Sequence, residues 1–338
     1  MIVKAPGVIK LLGEHAVVYG RLSLAIGINL YAKASFSNTK DDAIVIDVPD
    51  LGVIGTFTKE ELRKLHDSYK SRKSILEFVS ENSAQGSMLP FATIAARLLS
   101  EFNIDPTGVK VGLSSSIPIQ KGLSSSAALS TAFTVGLVKR SGKKLSDNQI
   151  IDVARDGDRI IHRNENAGRI DVSTAYYGGY TTFSSEQGAR KEEMDTELRL
   201  LIIDTGPKKT TAETVGHVAE LYKNDKEGTV SIFDQIHESS KKGVEAIKNA
   251  DITLLGNLMF NNHQLLQKLG VSSEGLDRTV RIAKEEKAHG AKLSGGGGGG
   301  IAIVLFGKNK ERLVSRLKEQ GFDVIETRIS VKGARDYL

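Results

Sequence analysis

The stretch Val109 to Leu137, V-K-V-G-L-S-S-S-I-P-I-Q-K-G-L-S-S-S-A-A-L-S-T-A-F-T-V-G-L, carries the strongest fold signal in the chain. Apolar residues alternate with polar or small ones over 109–113, as in a half-buried strand. A polar loop follows over 114–121, and apolar residues then recur at helical spacing over 128–137. The order of strand, small-residue loop and helix predicts a backbone turn that opens onto a helix N-terminus.

Within this stretch, Gly122 to Ala128 predicts a phosphate cradle. Small residues let backbone N–H groups approach an anion closely. A helix N-terminus adds unpaired N–H donors and the positive end of the helix dipole. Serine hydroxyls at such a site can also reach a magnesium ion held by the phosphates. A serine-rich N-cap of a purely structural helix is the alternative.

Strands and helices are interspersed along the whole chain, which predicts an α+β or mixed α/β fold. The length of 338 residues suggests two domains or one large one. The polar stretch 184–197 is the best candidate for a boundary, which would give domains that span 1–185 and 186–338. Strands are predicted over Ile2 to Leu12, Ile26 to Phe36, Ala43 to Val48, Leu198 to Ile203, Ile301 to Phe306 and Val324 to Ile329. A helix is predicted over 254–269, and Gly270 is placed to stop it. A second helix is predicted to begin after an N-cap at Ser272 or Ser273. A third is predicted over Glu311 to Gln320.

Composition disfavours several functional classes. The net charge is +5 with a pI of about 9.1, but there is no basic stripe and aromatic residues make up only 6%, so nucleic-acid binding is not expected. No apolar run approaches the ~20 residues of a membrane helix, and the N-terminus does not resemble a signal peptide. There is no cysteine and no HExxH motif, so no zinc site is expected. We therefore expect a cytoplasmic protein.

Glycine is concentrated in the unbroken run Gly295 to Gly300. This run satisfies G-x-G-x-x-G, but a strand follows it where a dinucleotide-binding fingerprint requires a helix. The run lies between apolar segments, which favours close approach to a ligand or to another backbone over a flexible linker. A Walker A motif is absent.

Two carboxylates and a Glu-His pair complete the candidate site residues. Asp158 and Asp171 follow the candidate phosphate cradle, and phosphoryl transfer needs carboxylates to hold magnesium and to orient or deprotonate the acceptor. Glu14 and His15 interrupt an apolar stretch, so they need polar partners if they are buried. Taken alone, the acids could equally be a solvated face and the Glu-His pair could be structural.

Taken in this order, the motifs resemble those of the GHMP kinases, and the resemblance spans nearly the whole chain. Pro118 to Ala127 matches the family pattern P-x-x-x-G-L-x-S-S-A in full. Ala5 to Gly20 is similar to the first family motif, and Lys292 to Ser294 with the following glycines is similar to the third. Within the family, Gly13 to Gly20 resembles the mevalonate kinase branch.

The resemblance implies an N-terminal domain related to ribosomal protein S5, a ferredoxin-like C-terminal domain, and ATP with Mg²⁺ in the cleft between them. By match, Asp171 would orient or deprotonate the acceptor hydroxyl. Magnesium would be held by Ser126 and Asp158. The implied nucleotide-binding residues are Pro118, Lys121, Gly122, Leu123, Ser124, Ser125, Ser126 and Ala127. The implied acceptor-site residues are Glu14, His15, Thr211, Gly296 and Gly297.

The chain departs from the family pattern at the position that directly follows Pro-Gly. The family usually has Lys or Arg there, and its side chain assists the acceptor hydroxyl, whereas this chain has Val8. Lys10 lies two residues on and therefore on the same face of a strand, about 7 Å further along. We expect Lys10 to substitute as a catalytic residue. Asp158 stands where the family usually has Glu, and the number of residues between it and Asp171 is larger than is usual in the family. Ser294 stands where Thr is common.

The function implied by the resemblance is phosphorylation of the primary hydroxyl of mevalonate by ATP, in isoprenoid precursor synthesis. The expected partners are therefore ATP and mevalonate, without nucleic acid or membrane, and a homodimer is left open. One alternative is another GHMP kinase such as phosphomevalonate kinase, whose doubly charged acceptor would need a basic cluster near Lys10, Lys208 and Lys209. The others are a non-catalytic nucleotide-binding relative and a nucleic-acid-binding protein.

Overall fold

The computed structural model describes residues 1–118, 121–206 and 209–338, which form one seven-stranded and one four-stranded sheet. The larger sheet contains β1 (Ile2–Leu12), β2 (Ser23–Asn38), β3 (Ala43–Val48), β4 (Val53–Thr58), β5 (Val109–Ser115), β6 (Tyr180–Ser184) and β7 (Gly188–Glu192). The smaller sheet contains β8 (Arg199–Asp204), β9 (Gly290–Leu293), β10 (Ile301–Leu305) and β11 (Asp323–Arg328). This is the predicted mixed fold.

The first strand, β1, pairs with β2, which is an inner strand of the larger sheet. In the larger sheet the order is β4-β3-β5-β2-β6-β7, with β1 paired to β2, and only β3 and β5 run parallel. The smaller sheet is antiparallel in the order β11-β8-β10-β9. The proposed domain boundary after residue 185 falls in the turn between β6 and β7, which are the last strands of the larger sheet.

Helices cover both sheets, and their ends follow the sequence signals. In the N-terminal part they are α1 (Lys59–Ser71), α2 (Ile75–Glu81), α3 (Leu89–Phe102), α4 (Ser125–Ser141), α5 (Asp147–His162) and α6 (Arg169–Tyr177). In the C-terminal part they are α7 (Thr211–Asn224), α8 (Lys226–Lys248), α9 (Ile252–Lys268), α10 (Glu274–Glu285) and α11 (Lys310–Glu319). Gly270 follows α9 with a φ of 70°, as expected of a helix stop, and Ser273 rather than Ser272 caps α10.

The strand β1 connects the two halves of the molecule. It packs against α4 and α6 in its own half and also contacts α8 and α9 of the other half. Most of its side chains are buried in the core that the two halves share. Residues at the end of β1 therefore lie between the N-terminal half, which contains the candidate phosphate loop, and the C-terminal half, which contains the glycine run. None of the helices described is long and apolar enough to cross a membrane.

Candidate active site

The loop between β5 and α4 has the form expected of an anion cradle. Gly122 has a φ of 78°, and Ser124, the N-cap of α4, is left-handed with a φ of 56°. The first-turn N–H groups of α4, including those of Ser125 and Ser126, therefore start from a sharp turn at the end of this loop. Leu123 is buried, and its carbonyl accepts a hydrogen bond of 3.0 Å from the N–H of Val8. This bond fixes the loop to β1.

The two flanks of the cradle differ in their surroundings. Ala127 is fully buried in the helix, while Pro118 is half-buried at the start of the loop. Lys121, directly before the first glycine, forms an ion pair with Asp204 at the end of β8. The cradle is thus joined to the C-terminal half by a lysine whose side chain remains 44% exposed.

Ser126 and Asp158 come together as the sequence predicts. Ser126 lies in the first turn of α4, and its hydroxyl donates to Oδ1 of Asp158 on α5 over 2.6 Å. His162, one turn further along α5, places its Nε2 3.0 Å from the same hydroxyl and 3.4 Å from that carboxylate oxygen. The hydrogen bond to Asp158 is the main reason why the pKa of His162 is raised. A hydroxyl and a carboxylate therefore lie together where the phosphate loop passes into α4.

Asp171 is the other carboxylate at this loop, and Lys10 is its partner. The ammonium Nζ of Lys10 donates to Oδ1 of Asp171 over 2.9 Å and to Oδ2 over 3.0 Å. The hydroxyl of Ser124 also donates to Oδ1, over 2.8 Å. The carboxylate of Asp171 is thus held between the end of β1 and the tip of the phosphate loop.

The positions of Val8 and Lys10 explain the departure from the family pattern. Val8 is 1% exposed and packs in the shared hydrophobic core. Lys10 lies on the same strand two residues on, where its side chain is 23% exposed and reaches Asp171. The ammonium therefore lies beside the acid although position 8 is apolar.

Gly168, just before α6, brings the two carboxylates close together. A Cβ atom added at this glycine would lie 2.6 Å from Oδ2 of Asp171 and 3.0 Å from Oδ2 of Asp158. A larger residue would therefore push into both acids. The absence of a side chain leaves the space in which these oxygens face each other.

Burial lowers the pKa of Lys10, but the carboxylates around it have the opposite and larger effect. Asp171 contributes most, through its charge and its hydrogen bonds, and the charges of Glu14 and Asp158 add to it. The net result is a raised pKa. Lys10 is therefore cationic throughout the physiological range.

Glu14 and His15 lie behind this pair, against the glycine run. Glu14 forms an ion pair with Lys292 of β9, and both side chains are almost completely buried. The Nε2 atom of His15 lies 2.9 Å from the carbonyl oxygen of Gly296. Burial lowers the pKa of His15 to about 4, an effect that the bond to Gly296 opposes and that Lys10 and Lys292 reinforce. His15 is thus neutral near pH 7, and its Nε2–H donates to Gly296.

The glycine run makes the close backbone contacts that its composition predicts. Gly297 lies so near the carbonyl of Val271 that a Cβ atom there would overlap with it. Gly298 donates to that carbonyl over 2.7 Å and accepts from the N–H of Lys209 over 3.0 Å. Ser294, directly before the run, donates its hydroxyl to the carbonyl of Lys10 over 3.0 Å. The run therefore links β1, the segment before α10 and the segment before α7.

Most of the predicted site residues thus gather around the end of β1, with two exceptions. The backbone of Thr211 begins α7, but its side chain lies outside the part of the chain that the structure describes, as does Lys208. Gly297 faces the backbone of Val271 rather than the acids.

Sequence reasoning did not assign a role to Lys292 or Asp204. Lys292 stands between two apolar residues of a strand. This pattern indicates that the lysine needs an acidic partner, because a buried charge is costly when it is unpaired. The partner of Lys121 gives no comparable signal in the sequence, since it lies 83 residues away.

Comparison with known proteins agrees with this geometry. Residues 90–179 match the family model for the GHMP kinases N terminal domain, and residues 244–323 match that for GHMP kinases C terminal. The mevalonate kinase of Methanocaldococcus jannaschii is 31% identical over 97% of this chain and 99% of its own length. That of Thermococcus sibiricus is 30% identical over 99% of this chain and 98% of its own. The crystal structure of the Methanococcus jannaschii mevalonate kinase superposes with a TM-score of 0.81 at 29% identity, covering 98% of each chain.

Proposed function

This chain belongs to the GHMP kinase family, and on that premise we propose that it transfers the γ-phosphoryl group of ATP to the primary hydroxyl of mevalonate. The products are 5-phosphomevalonate and ADP. One observation carries the chemistry: Asp171 is held between a lysine ammonium and the tip of the phosphate loop. The acceptor assignment is supported by relatives named mevalonate kinase that match nearly the full length of the chain.

The loop from Gly122 to Ser126 is the proposed phosphate site. Its left-handed turn and the start of α4 provide backbone N–H donors together with the positive end of the helix dipole. Lys121 adds a cationic side chain at the edge of the loop, next to Asp204. Binding of a nucleotide would offer Lys121 phosphate oxygens in place of that carboxylate.

The residues present also fit a magnesium ion. Magnesium prefers hard oxygen ligands and usually keeps several waters while sharing substrate phosphates. Ser126 and Asp158 supply one hydroxyl and one carboxylate oxygen 2.6 Å apart where the phosphate loop passes into α4. The described residues contain no cluster of three or more acidic, histidine or cysteine side chains arranged for a metal. We propose that Ser126 and Asp158 hold the ion, which neutralises phosphate charge when it is bound.

Asp171 and Lys10 are the proposed catalytic residues. Asp171 accepts the hydroxyl proton as the O–H bond breaks and the oxygen forms its bond to the γ-phosphorus. The bond from that phosphorus to the bridging oxygen breaks, and ADP leaves with the electron pair. Lys10 stabilises the negative charge that develops on the attacking oxygen and holds the carboxylate in place. No covalent enzyme intermediate is required.

We propose that the acceptor binds near His15 and Gly296, which are hydrogen-bonded to each other, and that Glu14, Thr211 and Gly297 are the other residues of this region, as the resemblance implies. His15 is neutral and fixed by its bond to Gly296, so it can act as a hydrogen-bonding group without adding charge. The buried pair of Glu14 with Lys292 lies beneath this region and keeps the end of β1 against β9.

The experiment that tests this function is ADP release by the purified protein with Mg-ATP and a panel of mevalonate, phosphomevalonate, galactose and homoserine. Turnover confined to mevalonate is the expected result. Turnover confined to another acceptor would retain the kinase chemistry and overturn the acceptor assignment. ATP binding without turnover on any acceptor would overturn the catalytic proposal.

A further inference from the structure

Ser124 differs from the other serine and threonine N-caps of this protein. At Thr58, Ser146, Thr210 and Ser273 the side chain accepts a hydrogen bond from the N–H three residues on, as N-caps usually do. The hydroxyl of Ser124 caps no backbone N–H of α4. It donates instead to Asp171, 47 residues away in sequence.

The backbone of Ser124 is unusual as well. Its φ of 56° and ψ of 41° lie in the left-handed region, which is sterically unfavourable for residues other than glycine. Glycine would occupy this position without that steric penalty. The family pattern P-x-x-x-G-L-x-S-S-A leaves the position open, so the resemblance counts Ser124 as part of the phosphate loop but implies no contact between its hydroxyl and Asp171.

The contacts of Asp171 divide unequally between its two oxygens. Oδ1 accepts from both Ser124 and Lys10, whereas Oδ2 accepts from Lys10 and faces the open space at Gly168. One oxygen is therefore fixed by two donors from two different elements. The other retains a lone pair toward the space that the two acids share.

We propose that Ser124 is a positioning residue for Asp171, an inference that rests on the proposed function. Its hydroxyl holds Oδ1 so that Oδ2 is presented to the acceptor hydroxyl, while the backbone of the same residue shapes the phosphate loop. A carboxylate held by Lys10 alone can turn about its terminal torsion, which is broad and soft. A small misplacement of a reacting group is sufficient to cost on the order of 100-fold in rate.

Two substitutions separate the hydroxyl from the backbone. Ser124→Ala removes the hydroxyl and retains the left-handed strain, while Ser124→Gly removes the hydroxyl and relieves it. We expect both variants to lower kcat by about 10- to 100-fold, with KM for ATP and for mevalonate within about twofold of wild type. We expect the Tm of the glycine variant to exceed that of the alanine variant. Wild-type kcat in Ser124→Gly would overturn the proposal, since only the backbone would then matter.

A double-mutant cycle tests whether Ser124 acts through Asp171. If it does, Ser124→Ala causes no further loss of kcat in an Asp171→Asn background, because the two residues act as a unit. The full 10- to 100-fold loss in that background would show that Ser124 acts on the phosphates instead, and would overturn the proposal.

A third measurement does not depend on turnover and so distinguishes failure of this inference from failure of the proposed function. Crystal structures of wild type and Ser124→Gly are compared at the Asp171 carboxylate. Rotation of the carboxylate away from its wild-type orientation is the expected result, even if mevalonate proves not to be the acceptor. An unchanged carboxylate in the variant would overturn the positioning role. Absence of mevalonate turnover in wild type would overturn the proposed function alone.

Discussion

Two lysine–carboxylate pairs lie on either side of the end of β1, and their surroundings are opposite. The pair of Lys10 and Asp171 is partly exposed, with side-chain exposures of 23% and 13%. The pair of Lys292 and Glu14 is sealed, with exposures of 0% and 1%. Both pairs join segments that are distant in sequence. The two pairs therefore differ in the exposure of their side chains and not in the kind of segments that they join.

The pKa values of the two lysines shift in opposite directions. Burial dominates at Lys292 and lowers its pKa, although Glu14 opposes the shift. At Lys10 burial also acts downward, but the combined effect of Asp171, Glu14 and Asp158 is larger and raises the pKa. Lys10 thus has an excess of negative charge around it, whereas Lys292 has a single carboxylate.

This difference favours a catalytic role for the pair of Lys10 and Asp171 and a structural role for the pair of Lys292 and Glu14. In the proposed mechanism, Lys10 exchanges part of its interaction with Asp171 for the negative charge that develops on a substrate, because both side chains of this pair are partly exposed. Lys292 has no such exposure. Its ammonium bonds Glu14 and the carbonyl of Leu293, and the second carboxylate oxygen of Glu14 is buried with no hydrogen-bond partner among the described residues. A buried pair of this kind fixes geometry while contributing little net stability.

The largest expected effect is on turnover, from Lys10→Ala. Loss of the ammonium removes the charge that stabilises the attacking oxygen and one of the two donors that hold Asp171. We expect kcat to fall on the order of 10⁴-fold, because general-base catalysis and charge stabilisation are both impaired. The measurement is steady-state ADP release with mevalonate.

Lys4→Ala is the matched control, since it removes the same side chain from the same strand away from the acids. It should leave kcat unchanged. The Tm of Lys10→Ala should lie within a few degrees of wild type, because the side chains are partly exposed, at 23% and 13%, and water can solvate the carboxylate that remains. Normal turnover in Lys10→Ala would mean that the exposed pair is not catalytic and would remove the contrast between the two pairs.

The substitute role of Lys10 could be proposed from the sequence because strand geometry is local. Residues 8 and 10 share a face of any strand, so a lysine displaced by two positions still points the same way. Seven of the eleven described strands, the α4 helix and the phosphate loop were predictable for the same reason: each follows from periodicity or turn chemistry within a short window.

The partners of these residues could not be predicted in the same way. Ser124 meets Asp171 across 47 residues, and Lys292 meets Glu14 across 278. Such contacts depend on how β1 is placed between the two halves, which no local pattern encodes. The sequence could indicate only that a lysine inside an apolar strand requires some acidic partner.

A smaller effect, on stability, is expected from the sealed pair. Lys292→Met leaves Glu14 buried without its counter-charge, which should lower the free energy of unfolding by roughly 4 kcal/mol. Urea unfolding measures this directly. The double variant Glu14→Met/Lys292→Met replaces both charges by apolar groups of similar size, and it should recover most of the loss. A single variant as stable as wild type would mean that the pair is hydrated, and hence not different in kind from the exposed one.

The smallest effect per residue is a pH dependence of stability that arises next to the sealed pair. Burial is the main cause that lowers the pKa of His15 and of His263 from 6.5 to about 4. Below pH 6.5 the unfolded chain therefore binds protons that the folded chain does not, so the free energy of unfolding falls as the pH falls. Between pH 7.5 and pH 5 we expect a loss of about 2 kcal/mol per histidine in urea unfolding.

The same measurement on Lys292→Met sharpens the comparison between the two pairs. Lys10 and Lys292 both lower the pKa of His15 by charge, but less than burial does. Removing Lys292 should therefore weaken the pH dependence by only a minor fraction, whereas His263→Gln should remove about half of it because one of the two histidines is lost. A pH dependence that disappears in Lys292→Met would show that the charge of Lys292, and not burial, sets the protonation of both His15 and His263.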